Sequence, residues 1–254
     1  MDDIGPKNVL VTGAAKRLGR AIALALADQG WSVAVHHRSS SREAEETASA
    51  IRDKGVRAHA IAADLSDEAE TARLVAKAAS KLGPLNALVN NASVFEHDTI
   101  DTMTRESWQM HFAVNLRAPV LLAQEFAAQL ENSLHGVIVN VLDQRVFKPT
   151  PEFLSYGVTK AGLHWLTTTL AQGLAPRIRV NAVAPGPTLP SARQSKESFE
   201  RQASSTVLGH GAHPEDIAAA VLYLIEAQAV TGQTIVVDSG QHLVWRSADV
   251  VGIE

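Results

Sequence analysis

Val9-Leu10-Val11-Thr12-Gly13-Ala14-Ala15-Lys16-Arg17-Leu18-Gly19 is an apolar β-branched run that breaks into a glycine turn and continues as an alanine-rich stretch over 18–29. A strand feeding such a turn and then a helix is a phosphate-binding unit. Glycine lets backbone N–H groups approach a pyrophosphate, and the positive end of the helix dipole favours its charge. Gly13 and Gly19 are present, while Arg17 stands where the dinucleotide fingerprint has its middle glycine. An ordinary strand–helix turn is the plainer reading, and the context weighs against it.

The same alternation runs along the chain. Strand-like segments fall at 8–12, 31–36, 57–62, 87–90, 136–142, 179–184 and 234–237, with helical patterns such as 67–82 and 153–172 between them. Strands separated by helix-length segments require crossover connections and a buried parallel sheet. The near-continuous apolar run Val137-Ile138-Val139-Asn140-Val141 fits burial on both faces. The expected fold is α/β, a doubly wound parallel seven-stranded sheet, with residues 1–254 as a single domain. From Pro185 to His213 the pattern lapses into a proline-containing, polar stretch that reads as a long irregular excursion. It follows the sixth strand at the ligand-binding edge, so residues at about 187–212 are expected to cover a substrate as a lid, the alternative being a solvated loop.

Composition narrows the classes. The chain has 254 residues, 46% hydrophobic and 20% charged, with a net charge of -4, which gives no reason to expect nucleic acid as a partner. No cysteine is present, so thiolate and disulfide chemistry are excluded. Met1-Asp2-Asp3-Ile4 lacks a signal-peptide pattern, no apolar run is long enough to span a bilayer, and a cytoplasmic protein is expected. The ten histidines form no metal motif: His36 and His37 are neighbours on a strand end and point to opposite sides.

Cofactor choice is read at the end of the second strand. An acidic residue there would hold ribose hydroxyls and repel a 2′-phosphate. This chain has His36-His37-Arg38-Ser39-Ser40, with no carboxylate before Glu43. Arg38, Arg17 and the serine hydroxyls can pair with phosphate, which points to NADP(H), unless Arg38 is only a solvated charge. Asp64, in Ala63-Asp64-Leu65, either accepts from an adenine amino group or caps the helix starting near Asp67. In Asn90-Asn91-Ala92, small residues let the backbone pass close to the adenosine ribose.

Tyr156 and Lys160 are i and i+4 on one helix and share a face. A nearby ammonium is expected to lower the pKa of the phenol, and the lysine can also bond a nicotinamide ribose. Thirteen residues before Tyr156 stands Asp143. The common carbonyl-reducing arrangement has serine there, which donates to a developing alkoxide. An ionised carboxylate cannot donate and repels an oxyanion. It can support proton delivery to a ring nitrogen, which moves the expected substrate from C=O toward C=N; a turn-initiating aspartate is the plainer reading. Asn115, a poor helix former inside Phe112-Ala113-Val114-Asn115-Leu116, is a candidate for a local kink and a water relay. Phe95 either stacks on a flat heterocycle or belongs to the core.

Thr12-Gly13…Gly19, Asn90-Asn91-Ala92, Asn115, Tyr156-x-x-x-Lys160, Pro185-Gly186 and the ending Thr231-Gly232-Gln233…Asp238-Ser239-Gly240 together resemble the short-chain dehydrogenase/reductase superfamily, over nearly the whole chain. The resemblance implies a Rossmann-type fold, a nicotinamide cofactor and a homotetramer. Further details are similar to its pteridine reductase branch, which includes dihydromonapterin and dihydrofolate reductase-like members. Arg17 lies in the glycine turn, where that branch uses an arginine near both pyrophosphate and pterin. His37-Arg38-Ser39 resembles its NADPH-selecting triplet, and Ser93 and Phe95 match the serine and aromatic that hold the pterin. Asp143 has the branch's spacing to tyrosine, and Thr188 matches a hydroxyl residue just after Pro185-Gly186. The cofactor set this implies is Gly13, Arg17, Leu18, Gly19, His37, Arg38, Ser39, Asp64, Leu65, Asn91, Ala92, Lys160, Pro185, Gly186 and Thr188. Substrate would meet Arg17, Ser93, Phe95, Asp143 and Tyr156, with Asp143, Tyr156, Lys160 and Asn115 as the catalytic group. Pro190 departs from the superfamily pattern, where many members carry threonine. The implied function is NADPH-dependent reduction of a pterin or folate C=N bond. Reduction of a 3-oxoacyl thioester is the alternative, followed by a non-catalytic nucleotide sensor on the same fold.

Overall fold

A computed structural model describes residues 6–131, 134–191 and 193–245. The N-terminal stretch read for a leader and Ala192 of the excursion lie outside the described residues. Seven parallel strands form one sheet: β1 (Asn8–Val11), β2 (Ser32–His37), β3 (Ala58–Ala62), β4 (Ala87–Asn90), β5 (Gly136–Val141), β6 (Ile178–Pro185) and β7 (Thr234–Val237). Their spatial order is β3-β2-β1-β4-β5-β6-β7. The order reverses between β1 and β4, so the connections leaving these two strands diverge and open a crevice at their carboxyl ends.

The period-2 alternation of side chains divides the core between two faces of the sheet. Val9, Val11, Val33, Val35, Val137 and Val139 pack toward helices α1 (Arg17–Asp28), α2 (Ser41–Arg52) and α8 (Pro214–Glu226). Leu10, Ala34, Leu88 and Ile138, one residue out of phase, pack toward α3 (Glu68–Leu82), α5 (Ala118–Gln129) and α6 (Leu154–Leu174). Leu10, Leu88, Leu122 and Ile138 are buried to 1% exposure or less, and each such side chain contributes about 1.5–3 kcal/mol. Among the described residues, no helix is long and apolar enough to cross a membrane.

One reading changes. The excursion after β6 is not irregular throughout, because it contains helix α7 (Lys196–Ser204), capped by the Ser195 side chain accepting from Ser198 N at 3.1 Å. That helix buries no residue and so lacks the apolar stripe by which a helix shows in a sequence.

Candidate active site

The glycine turn is built by close approach. Gly13 has φ +63, and a Cβ on Gly19 would stand 2.2 Å from the Gly13 carbonyl oxygen and 2.5 Å from Asn91 Nδ2. Asn91 and Ala92 donate their N–H groups to Thr12 Oγ1 at 2.9 and 3.0 Å, tying the end of β4 to that of β1. His36 braces the turn from the other side: its Nδ1 accepts from Gly13 N at 3.0 Å and its Nε2 lies 3.0 Å from the Ala63 carbonyl. Burial lowers the pKa of His36 from 6.5 to about 4, so the ring is neutral and Nε2 carries the proton.

Beside this turn lies a cavity of about 420 Å³. Gly13, Lys16, Arg17, Leu18 and Gly19 line it, with Arg38, Ser39 and Ser40 from beyond β2, Asp64 and Leu65 from beyond β3, and Asn91 and Ala92 from beyond β4. His37 lies outside this lining and is buried, because strand alternation turns it away from the face that His36 uses. Asp67, not Asp64, caps α3 by accepting from Glu70 N at 3.0 Å, so the capping alternative for Asp64 falls. Asp64 spends Oδ1 on Ser66 N (2.9 Å) and Ser66 Oγ (2.7 Å). Glu43 is paired with Lys16 at 2.7 Å. Arg38, Ser39 and Ser40 put a guanidinium and two hydroxyls on the lining, a set that fits a phosphorylated ribose.

Arg17, Leu18, Asn91 and Ser93 are shared with a second cavity of about 510 Å³, so the two chambers adjoin. In the second are Asp143, Tyr156 and Lys160 at the carboxyl end of β5 and the first turns of α6. Pro185, Gly186 and Thr188 line it from the end of β6. Tyr156 Oη donates to Asp143 Oδ2 at 2.9 Å. Asp143 also accepts from Arg145 N (2.9 Å) and Arg145 Nη1 (3.3 Å) on Oδ1, and from Arg145 Nη1 (3.1 Å) on Oδ2. It thus starts a 3₁₀ turn, Gln144–Val146, and meets the phenol at the same time.

Tyr156 is pushed well above the ordinary tyrosine pKa, first by burial, then by the charge of Asp143 and the hydrogen bond to it. This reverses the expectation drawn from Lys160. The ammonium lies 5.7 Å from the centroid of the phenol ring and donates to the Val141 carbonyl at 2.8 Å. Burial lowers Lys160 to about 8, opposed by the charge of Asp143.

Phe95 is half-buried, lines the cavity, and stacks on Phe153 with centroids 4.3 Å apart. It also meets Tyr156 edge-on at 4.7 Å. The Arg145 guanidinium covers both phenylalanine rings, at 5.5 and 5.1 Å from their centroids. Asn115 is fully buried and lines neither cavity. It holds the β4 loop, accepting from Val94 N and donating to Val94 O, both at 2.8 Å. It also accepts from Ser93 Oγ at 3.2 Å. The helix around it widens into a π turn, Ala113–Arg117. Pro119, four residues on, has no N–H for the Asn115 carbonyl, a signal of the widened turn that the sequence itself carries.

The excursion after β6 closes the second cavity with Leu189, Ser191, Gln194 and Phe199. Arg17 Nη2 donates to the carbonyls of Pro190 (2.9 Å) and Leu189 (3.3 Å). Arg193 pairs with Glu96 and donates to the Phe95 carbonyl. Arg145, Phe153 and Arg193 carry no motif that sequence reading could seize.

A glycine turn at the sheet's switch point, opening on a Tyr/Lys pair beyond β5, defines a nucleotide-dependent oxidoreductase class. The chain belongs to the short-chain dehydrogenase/reductase family: residues 13–242 match the family model described as enoyl-(acyl carrier protein) reductase. Its fold superposes with a TM-score of 0.94 on the FolM alternative dihydrofolate reductase 1 from Brucella canis, a structure complexed with NADP; the two are 45% identical, covering 98% of each chain. It is 34% identical to the 3-oxoacyl-[acyl-carrier-protein] reductase FabG of Staphylococcus aureus, over 93% of this chain and 98% of that one. It is also 36% identical to the 3beta-hydroxysteroid dehydrogenase 1 of Eggerthella lenta, over 95% and 96%.

Proposed function

We propose that this chain is an NADPH-dependent reductase of a C=N bond in a reduced pterin or folate. The observation that carries the reading is the 2.9 Å bond from Tyr156 to Asp143 inside a cavity walled by Phe95. Likeness to the FolM reductase over 98% of the chain supports it.

Arg38, Ser39 and Lys16 would hold the 2′-phosphate, and the N-terminal end of α1 with Gly13 and Gly19 the pyrophosphate. Lys160, anchored on Val141, has donors left for the nicotinamide ribose. When bound, the cofactor supplies the hydride. Phe95, backed by Phe153 and by the Arg145 guanidinium, offers a flat wall to a heterocycle, and Ser93 and Arg17 lie at its rim. The raised pKa of Tyr156 keeps its proton on the phenol at neutral pH. Asp143 accepts that O–H in the free site and presents no donor to a substrate oxygen; with substrate in place the single hydroxyl hydrogen turns from Asp143 to the ring nitrogen. An amide-like anion at the ring nitrogen is a stronger base than a phenolate, so the proton passes from Tyr156 to nitrogen. Lys160 steadies the phenolate until solvent restores its proton. The segment at about 187–212 acts as a lid, fastened by Arg17 and Arg193. Homotetrameric assembly belongs to the same reading, for Val158 and Trp165 of α6, 42% and 66% exposed, form an apolar surface that a subunit contact would cover.

The likeness to FabG favours 3-oxoacyl thioester reduction as the second reading. Asp143 counts against it, because a carboxylate facing a nascent alkoxide costs rate. The test offers NADPH with dihydrobiopterin, dihydrofolate or an acetoacetyl thioester and follows cofactor absorbance. Oxidation with the pterin or folate is expected; turnover of the thioester alone would overturn the reading.

A further inference from the structure

Helix α6, which carries Tyr156 and Lys160, starts without a cap of its own. Phe153 occupies the cap position in a left-handed conformation (φ 60°) and has no polar side chain to offer. Asp98, 57 positions before Ser155 in the loop after β4, takes that role. Its carbonyl accepts from Leu154 N at 3.1 Å, its Oδ1 accepts from Ser155 N at 3.1 Å, and its Oδ2 accepts the Ser155 hydroxyl. Ser107 Oγ, on α4 (Arg105–Phe112), adds a bond of 3.3 Å to Oδ2.

The network continues. His111 Nε2 accepts from Glu96 N at 3.0 Å, so the ring proton is on Nδ1, which donates to Ser155 Oγ at 2.6 Å. Asp98, His111 and Ser155 are each no more than 1% exposed. These are the residue types of a hydrolytic triad, but serine lies between the other two and the far histidine nitrogen is spent on main chain. Ser155 lines neither cavity. What the network joins are three pieces of the site: the loop bearing Phe95 through Glu96, α4 through His111, and Tyr156 through Ser155. The His111 ring also lies edge-on to the Tyr156 ring, with centroids 6.2 Å apart.

We propose that Asp98, Ser155 and His111 are positioning residues that hold the Tyr156 hydroxyl on Asp143 and fix its place relative to Phe95. The role rests on the reductase reading for its effect on rate, but not for its geometry. Hydrogen-bond polarity makes it specific. An amide at position 98 cannot accept the serine O–H on the atom that replaces Oδ2, so Asp98→Asn leaves Ser155 facing two donors. Ser155→Ala keeps the backbone cap and removes the hydroxyl that joins Asp98 to His111.

The chain has two tyrosines, Tyr156 and Tyr223, so protein labelled with ¹³C at tyrosine Cζ gives two resonances, assigned with Tyr223→Phe. Ser155→Ala and Asp98→Asn are expected to shift the Tyr156 signal and leave Tyr223 in place. With pterin, kcat should fall ~10–100-fold, as for a sub-ångström misplacement, while the KM for NADPH holds. Ser155→Thr, which keeps the hydroxyl, should restore both. A Tyr156 resonance unmoved in folded Ser155→Ala overturns the proposal. Should the wild type turn over no pterin, the reductase reading fails by itself and the resonance still decides this one. Should Asp98→Asn not fold, Ser155→Ala carries the test.

Discussion

The phenol of Tyr156 is engaged with Asp143, at 2.9 Å, while the Lys160 ammonium is engaged with the main chain at Val141. The reactive hydroxyl is thus set by an acceptor. A serine in place of Asp143 would offer a donor to the substrate and remove a negative charge, and the chemistry favoured at the tyrosine would change with it.

Replacing Asp143 by serine should lower kcat/KM for dihydropterin at least ~10–100-fold, the worth of a hydrogen bond to a charged group. In Asp143→Asn the phenol should titrate closer to its ordinary value, though still above it, because burial is the larger cause and remains. Steady-state rates and a tyrosine titration check the pair. Unchanged pterin rates would remove Asp143 from the mechanism.

Arg38→Asp should cut the preference for NADPH over NADH by ~10–100-fold, through loss of a charge-assisted bond and gain of a repulsive carboxylate. The ratio of kcat/KM for the two cofactors measures it. A ratio unaltered by the change would put the phosphate-binding group elsewhere.

His36 ties stability to pH. Its folded pKa, about 4, lies below the free value of 6.5. Above 6.5 both states are neutral and the brace on Gly13 is intact. As pH falls from 6.5 toward 4 the unfolded chain binds a proton that the folded chain refuses, and stability drops by roughly 3 kcal/mol in all. His37, also lowered by burial, adds in the same sense. Urea midpoints at pH 7.5, 6 and 4.5 should decline in wild type more steeply than in His36→Asn, which should start lower. Parallel slopes would exclude His36 as the source.

Lys160 costs stability. Burial brings its folded value to about 8, so its contribution, complete above 10.5, is lost as pH falls through 8. At pH 7 the charged group disfavours folding by roughly 3 kcal/mol, against about 1.5–3 kcal/mol for its charge-assisted bond to Val141. Lys160→Met should abolish turnover yet melt no lower than wild type at pH 7, and any advantage should shrink toward pH 10. A markedly lower melting temperature at pH 7 would show that the bond outweighs the desolvation.

The alternation of β-branched runs with helical stretches made the seven strands legible to within a residue or two, and the Tyr156-x-x-x-Lys160 spacing located the reacting edge. Helix α7 escaped because it buries nothing and therefore leaves no stripe. The direction of the Tyr156 pKa escaped because it depends on burial and on where a carboxylate points, neither of which a spacing encodes. Phe153 and Arg145 escaped for a related reason: their partner Phe95 is brought to them from the loop after a different strand, β4. The cap on α6 lies 57 positions from the residue it serves, beyond the reach of any local pattern.

Arg17 forms a wall of both chambers and also grips the carbonyls of Leu189 and Pro190. Two occupants that lean on one side chain are thermodynamically linked. By whatever factor the first arrival alters the grip on the second, the second alters the grip on the first, regardless of the order in which they come.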